Sequence, residues 1–255
     1  MSKPDFITYG YFPEELPPNF STQNFGKYCK KVKLKNFLPK SDFKTPTGVK
    51  SNGRTRLVKY NASKRGKNRR EFSLPNPVSF HDTCYFLKEH WGEIEKFLLK
   101  SKNVSFSTPV IDGEARAIKF TPHSEIPAIK LLTLGGYKFV LQSDISRFYH
   151  SIYTHSLPWA FHGKKESKQD TSPKSTKNYF NKIDEIIRNG QDGQTIGLPV
   201  GTDCSRVLAE VISVAIDLSF QKAHPKLKFL RHVDDVWFGA RSEHEAEKNS
   251  CPISR

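Results

Sequence analysis

Apolar residues recur at helical spacing from Phe80 through Cys84, Leu87, Trp91, Ile94 and Leu98, which predicts a helix from about His81 to Lys100. A second helix is expected from about Glu125 to Leu134, stopped by Gly135-Gly136. The period then changes to two. Tyr137, Phe139 and Leu141 share one face of a strand running from Tyr137 to Gln142. Residues 162–178 are polar and rich in Ser, Thr and Lys, and read as a mobile loop. From about Ser205 to Lys222, Val207, Leu208, Val211, Ile212, Ala215 and Leu218 form an apolar stripe that predicts a core helix. A hairpin is expected over Lys228–Arg241, with its tight turn at Asp234-Asp235.

The remaining stretches are punctuated. Residues 1–25 hold Pro4, Pro13, Pro17 and Pro18, too many for a regular helix, and Tyr9, Tyr11, Phe12 and Phe20 suggest that this segment lies on a partner surface. Residues 26–75 mix basic residues with Gly48, Gly53 and Gly66, as short strands and turns would, and end at Pro75 and Pro77. Pro109, Gly113, Pro122 and Pro127 interrupt 101–127. There is no internal repeat.

Charge changes the picture more than composition does. The net charge is +15, and residues 26–70 carry all of it: sixteen Lys and Arg against one acid, Asp42. Such a block attracts polyanions through counterion release, although a solvated basic face has the same composition. No amphipathic helix accompanies it, so nucleic acid is the expected partner and a membrane is not. Hydrophobic residues make up 36% and aromatics 12%, which suits a folded body carrying exposed polar segments. No apolar run approaches the roughly 18 residues of a span, and Met1-Ser2-Lys3-Pro4-Asp5-Phe6 lacks the apolar core of a signal peptide, which points to the cytoplasm. Cys29, Cys84, Cys204 and Cys251 show neither zinc-site spacing nor a disulfide pattern. His150 and His155, five apart, do not share a helical face.

The candidate chemistry is acidic. By strand parity Asp144 falls on the face of Lys138 and Gln142, at the end of a strand whose other face is apolar. Asp before a turn also caps helices. Asp234-Asp235 lies at the tip of an apolar hairpin, Arg231-His232-Val233-Asp234-Asp235-Val236-Trp237-Phe238-Gly239. Two adjacent carboxylates repel, and a hard divalent cation removes that cost; a solvated turn is the plainer explanation. If the two strands are neighbours, Asp144 and Asp234 converge on a site for two Mg²⁺ ions roughly 3.5–4 Å apart. Phosphoryl transfer needs little beyond such positioning and charge stabilisation. Between them, Gly197-Leu198-Pro199-Val200-Gly201 leads into the apolar helix, with Ser205 as a candidate cap. Glycine permits close backbone approach, which suits contact with a base pair or sugar.

In this order the segments resemble the reverse transcriptase family. Asp144 through Phe148-Tyr149-His150-Ser151-Ile152 looks like its first palm motif, Gln194-Thr195-x-Gly197-Leu198-Pro199-x-Gly201-x-x-x-Ser205 the second, and Val233-Asp234-Asp235 the third. Arg70-x-Phe72-x-Leu74-Pro75 is similar to a fingers element, and the resemblance covers about 65–247. It implies an α+β right-hand polymerase: an N-terminal segment 1–25, fingers over 26–135, and a palm over 136–248 whose antiparallel sheet is backed by helices in a split βαβ topology. It implies that Asp144, Asp234 and Asp235 are catalytic and, with the Ile145 carbonyl, hold two Mg²⁺ or Mn²⁺ ions. Tyr149 would lie under the nucleotide sugar and exclude a 2′-hydroxyl. Phe148, Gln194, Leu198, Pro199, Gly201 and Arg70 would complete the substrate site. The partners implied are an RNA template, a DNA primer or product, and dNTPs.

Tyr11-Phe12-Pro13-Glu14-Glu15-Leu16-Pro17-Pro18, and Gln191-Asp192-Gly193-Gln194 through Ala215-Ile216-Asp217, look like the bacterial antiviral-defence and abortive-infection type; retron and group II intron enzymes are the near alternatives. The sequence names no defence partner. His232 stands where the family usually has Tyr or Phe, which suggests a small pH effect on extension. After Glu243–Lys248, the start of another palm helix, the tail 249–255 resembles nothing in the family, and the thumb is missing. A truncated fragment that binds nucleic acid without catalysis is therefore a second reading, and a basic structural protein a third.

Overall fold

The computed structural model describes residues 2–16, 19–31, 54–63, 69–113 and 115–250, the side chains of 248–250 excepted. Within the basic block, 32–53 and 64–68 lie outside the described residues, as do Pro17, Pro18 and the end of the tail, 251–255. From the N-terminus the elements are α1 (Phe6–Tyr9), α2 (Gln23–Lys31), β1 (Val58–Ser63), β2 (Arg69–Leu74), α3 (Pro77–Glu89) and α4 (Trp91–Leu98). Next come β3 (Val110–Ile111), β4 (Ile118–Lys119), α5 (Ile126–Leu134), β5 (Phe139–Asp144), α6 (Phe148–Ser151) and α7 (Ser156–His162). The chain continues through α8 (Lys164–Gln169), α9 (Phe180–Gly190), α10 (Asp203–Ala223), β6 (Phe229–His232), β7 (Asp235–Ala240) and α11 (Glu243–Ser250).

The sheet that matters for function has the order β5-β7-β6, and β7 is antiparallel to both neighbours. β5 and β6 therefore run the same way, joined through α6–α10 with β7 inserted between them, which is a split βαβ unit. On one face Phe238 of β7 and Phe229 of β6 pack against Phe220 of α10. On the other, Leu230 and Trp237 cluster with Ile126 and Leu134 of α5. Tyr137 lies across Gly239 of β7, where an added Cβ would come within 2.6 Å of the ring. Strand parity puts Gln142, Asp144, Asp235 and His232 on the α5 face, but at the end of the sheet beyond the Trp237 cluster. That end is open.

The main core lies among α3, α4, α7, α9 and α10, and the apolar positions of the predicted 81–100 helix are buried in it, Leu87 and Ile94 completely. That helix is two, not one. Asn76 caps α3, its side chain accepting from Val78 N at 3.0 Å with Pro77 at the first position. His90 then leaves the helical region (φ −101, ψ 15), and its ring stacks on Tyr179 at 4.2 Å.

Two further expectations are corrected. Residues 162–178 are not a structureless loop. Lys164–Gln169 form α8, and the turn after it is tied down by Asn178 Nδ2 donating to Glu166 O (3.1 Å) and Asn181 Nδ2 to Asp170 O (2.7 Å). Tyr9 and Tyr11 pack against this chain's own core and not on a partner, whereas Phe20 is 53% exposed. Phe6 is buried in this chain's own core, and Tyr11 packs on Phe80 while its hydroxyl donates to Pro75 O at 2.6 Å. Among the described residues no helix is long and apolar enough to cross a membrane.

Candidate active site

Asp144 ends β5 directly opposite Asp235, and the next amide, Ile145 N, donates to Asp234 O at 3.1 Å. The expected turn at Asp234-Asp235 is shifted by one residue. Val233 and Asp234 make it, Val233 with φ +57, and Asp235 already belongs to β7. Val233 N donates to Ser107 Oγ, which anchors the strained residue from a neighbouring segment. Gln142 Nε2 donates to Asp235 Oδ1 at 3.1 Å. Burial pushes the Asp234 carboxyl above its ordinary value; Asp144 and Asp235 add repulsion, and Arg70 opposes it.

A buried charge network holds this hairpin from behind. Arg231 of β6 is 2% exposed and reaches two carboxylates of α10: Glu210 (2.7 and 2.9 Å) and Asp217 (2.8 and 3.0 Å). Its Nη1 also donates to Val233 O at 3.2 Å, so the guanidinium grips the turn itself. Ser101 Oγ donates to Asp217 at 2.5 Å and Ser105 Oγ to Glu210 at 2.6 Å. Burial alone would lower the Arg231 pKa, but Glu210 and Asp217 outweigh it and hold it above its usual value.

The carboxylates open on a cavity of about 550 Å³ lined by Arg70, Arg116, Asp144, Arg147, Phe148, Tyr149, Gly201, Arg206, His232, Asp234 and Asp235, among others. That volume suits a nucleotide-sized ligand. Tyr149 is partly buried against the core, and burial raises its hydroxyl well above the ordinary value, so it is a neutral ring wall. Phe148 is 5% exposed and lies mostly in the core. His232 packs edge-on against His123 (4.8 Å); burial, then His123, lowers its pKa. Both causes favour the neutral imidazole.

The predicted substrate residues divide. Arg70, Phe148, Tyr149 and Gly201 line the carboxylate cavity; Gln194, Leu198 and Pro199 do not. Leu198 is buried, and its amide donates to Tyr149 O at 2.9 Å, while Gly197 N donates to Ile152 O at 2.8 Å. That loop thus positions Tyr149 from behind. Gly201, at φ +118, does take a close approach, but from this chain: a Cβ there would come within 3.0 Å of Pro13 Cβ and 3.1 Å of Phe72 Cδ1. Ser205 is not the cap of α10; Thr202 is, its side chain accepting from Ser205 N at 3.2 Å.

Sequence reasoning passed over Arg231, Glu210 and Asp217. A signal existed: Glu210 and Asp217 are seven apart, hence on one side of an otherwise apolar helix, and Arg231 interrupts an apolar strand. Arg116 was also missed. It donates to Phe12 O at 2.6 Å and pairs with Asp203, joining the N-terminal segment to the start of α10.

The donor set here, carboxylates with a nearby backbone carbonyl, has the chemistry of a hard divalent cation. Among the described residues no group of three His, Cys, Asp or Glu side chains is placed to hold a metal ion. Binding one requires the Asp144, Asp234 and Asp235 side chains to turn towards each other, which exposed Asp144 is free to do.

No family model matches the chain, and no curated protein matches it. Among solved structures, apo telomerase from Candida tropicalis aligns at TM-score 0.50 and 12% identity, over 98% of this chain and 48% of that one. The fold is similar to that of telomerase. A form of the C. tropicalis protein truncated from its C-terminal domain aligns at 0.48 and 14%, over 98% and 55%. Telomerase from Candida albicans, in complex with a fragment of telomeric RNA, aligns at 0.48 and 11%, over 98% and 48%. At such identities the likeness shows the fold alone, and the chain spans about half the length of the structures it matches.

Proposed function

We propose that this chain is an RNA-directed DNA polymerase of the reverse transcriptase type, adding deoxynucleotides to a primer 3′-hydroxyl. The observation that carries this reading is the pairing of Asp144 with Asp235 across β5 and β7, with Asp234 bonded to the next residue, in one cavity with Tyr149 and Arg70. A solvated turn would not bring a distant third carboxylate to the same opening. In the reaction the 3′-hydroxyl oxygen forms a bond to the α-phosphorus, the bond from that phosphorus to the oxygen bridging to the β-phosphate breaks, and pyrophosphate leaves. Two Mg²⁺ or Mn²⁺ ions held by Asp144, Asp234, Asp235 and the Ile145 carbonyl would acidify the hydroxyl and neutralise the leaving charge. Arg70 would meet the phosphates, and the Tyr149 ring would lie under the sugar, where a 2′-hydroxyl collides with it.

Primer extension on an RNA template with Mg²⁺ and dNTPs, with Asp234→Asn/Asp235→Asn beside the unaltered chain, tests this. Extension by the unaltered chain and none by the double variant supports the proposal. Equal template–primer binding by both with extension by neither supports the second reading, a nucleic-acid-binding protein without catalysis. A role in antiviral defence rests on the resemblance of Tyr11–Pro18 and Gln191–Asp217 alone.

A further inference from the structure

Two consecutive residues of the N-terminal segment, Glu14 and Glu15, line the carboxylate cavity, and Pro13 before them packs on Gly201 of its wall. Glu14 Oε2 is 3.5 Å from Arg206 Nη1, and Glu15 Oε1 is 2.9 Å from Arg70 Nη1. They are put there by the backbone before them. Gly10 O accepts from Asp203 N (2.9 Å), Tyr11 Oη is bonded to Pro75 O, and Phe12 O accepts from Arg116. The glutamates themselves are loosely held, Glu14 71% and Glu15 49% exposed. Exposed pairs of this kind contribute little to stability.

Arg206 differs from its partner. Its guanidinium carbon lies 4.2 Å from the centre of the Phe120 ring, and the side chain is only 22% exposed, so it is held in place whether or not Glu14 stays. Its other acidic neighbour, Asp203, is 3.7 Å away and is already paired with Arg116. The cavity therefore presents two arginines, one from β2 and one from the first turn of α10, each facing a replaceable carboxylate. Arginine takes phosphate oxygens in pairs and with more charge than one carboxylate offers.

We propose that Arg206 forms with Arg70 the polyphosphate clamp of this cavity, and that Glu14 and Glu15 occupy that clamp as an internal anion which an incoming triphosphate displaces. This rests on the polymerase reading for its substrate but not for its test. The full-length chain and two variants, Glu14→Gln/Glu15→Gln and Arg206→Gln, are compared by calorimetric titration with inorganic tripolyphosphate, and by KM for dNTP in primer extension.

Removing the glutamates is expected to tighten tripolyphosphate binding about three- to tenfold, the worth of one or two exposed ion pairs, and to lower KM equally with kcat unchanged. Arg206→Gln is expected to weaken both about tenfold, the loss of one charge-assisted hydrogen bond. Unchanged tripolyphosphate affinity in the glutamate variant overturns the proposal, and since both positions are exposed, misfolding is no excuse. A change in template–primer affinity alone also overturns it, because the arginines would then serve the nucleic-acid backbone. Altered tripolyphosphate binding in a chain that never extends primers keeps the clamp and defeats the polymerase; extension with KM unmoved in either variant does the reverse.

Discussion

Arg231 sets one positive charge against two carboxylates in an apolar interior, and it also holds the carbonyl of Val233 in the turn that carries Asp234. Removing a single member of a buried network leaves the rest uncompensated, which costs far more than an exposed pair. Arg231→Met should destabilise the chain by about 3–5 kcal/mol in urea unfolding. The triple change Arg231→Met/Glu210→Leu/Asp217→Leu should recover much of that loss, because nothing charged is then left buried. If it proves no more stable than the single variant, lost pairing is not the cause. On the proposed function, Tyr149 would act at the same scale but on specificity. Its backbone oxygen accepts from Leu198 N at 2.9 Å, which ties the backbone of Tyr149 to that loop. Tyr149→Ala should reduce discrimination against ribonucleotides by up to about 100-fold in paired extension assays, the range a steric wall reaches against one extra hydroxyl. Discrimination equal to the unaltered chain's would remove Tyr149 from the sugar site.

Between α3 and α4 the break at His90 creates an aromatic knot. Its ring stacks on Tyr179, which in turn touches His162 at 4.8 Å. Burial lowers the pKa of both histidines, and His90 lowers that of His162 further. Folded and unfolded chains thus differ in proton uptake below about pH 6.5, the unfolded imidazoles binding more. The stabilisation is present above that pH and is lost as pH falls through the lowered folded values. Melting temperature should therefore drop between about pH 7 and 5, and His90→Phe/His162→Phe should flatten the drop. An equally steep drop in the double variant would place the acid sensitivity elsewhere. This knot also shows where sequence legibility ends. Every position that the apolar spacing of 80–98 marked is buried, because helical period is local, although Phe86 and Phe97, which that spacing did not mark, are buried too. The break was not legible, since what occupies His90 is Tyr179, far along the chain. Likewise β5 parity placed Asp144 on the face away from Phe139 and Leu141, a local property. Tyr137, however, expected on the face of those two, lies outside the strand and packs with the α5 cluster on the side of Asp144. The ordering of 164–178 depends on the Asn178 and Asn181 amides reaching back to carbonyls, and polar composition carries no trace of that. Gly201 advertised a close approach without naming Pro13 as the neighbour.

Across the whole molecule, the cavity and the basic block divide the electrostatic work. Inside the cavity, Arg70, Arg116 and Arg206 each face an acid of this chain, Glu15, Asp203 and Glu14. Arg147 lines the cavity as well, but so do Asp144, Asp234 and Asp235, so no net positive charge is left there to attract a long polyanion. On the proposed function, the general grip on a template falls to the other fifteen Lys and Arg of 26–70, Arg70 being in the cavity, and these face one acid in sequence. Counterion release makes that division measurable, because each neutralised phosphate steepens the fall of log K with log salt by about 0.7 for a single strand. Lys33→Gln/Lys35→Gln/Lys40→Gln/Lys44→Gln should reduce the slope for single-stranded RNA by up to about 3, one step for each phosphate no longer neutralised. Arg206→Gln, by contrast, should leave the slope nearly unchanged while altering tripolyphosphate binding. A slope that ignores the four lysines but follows Arg206 would reverse the assignment, placing strand capture in the cavity and leaving the basic block without a part in it.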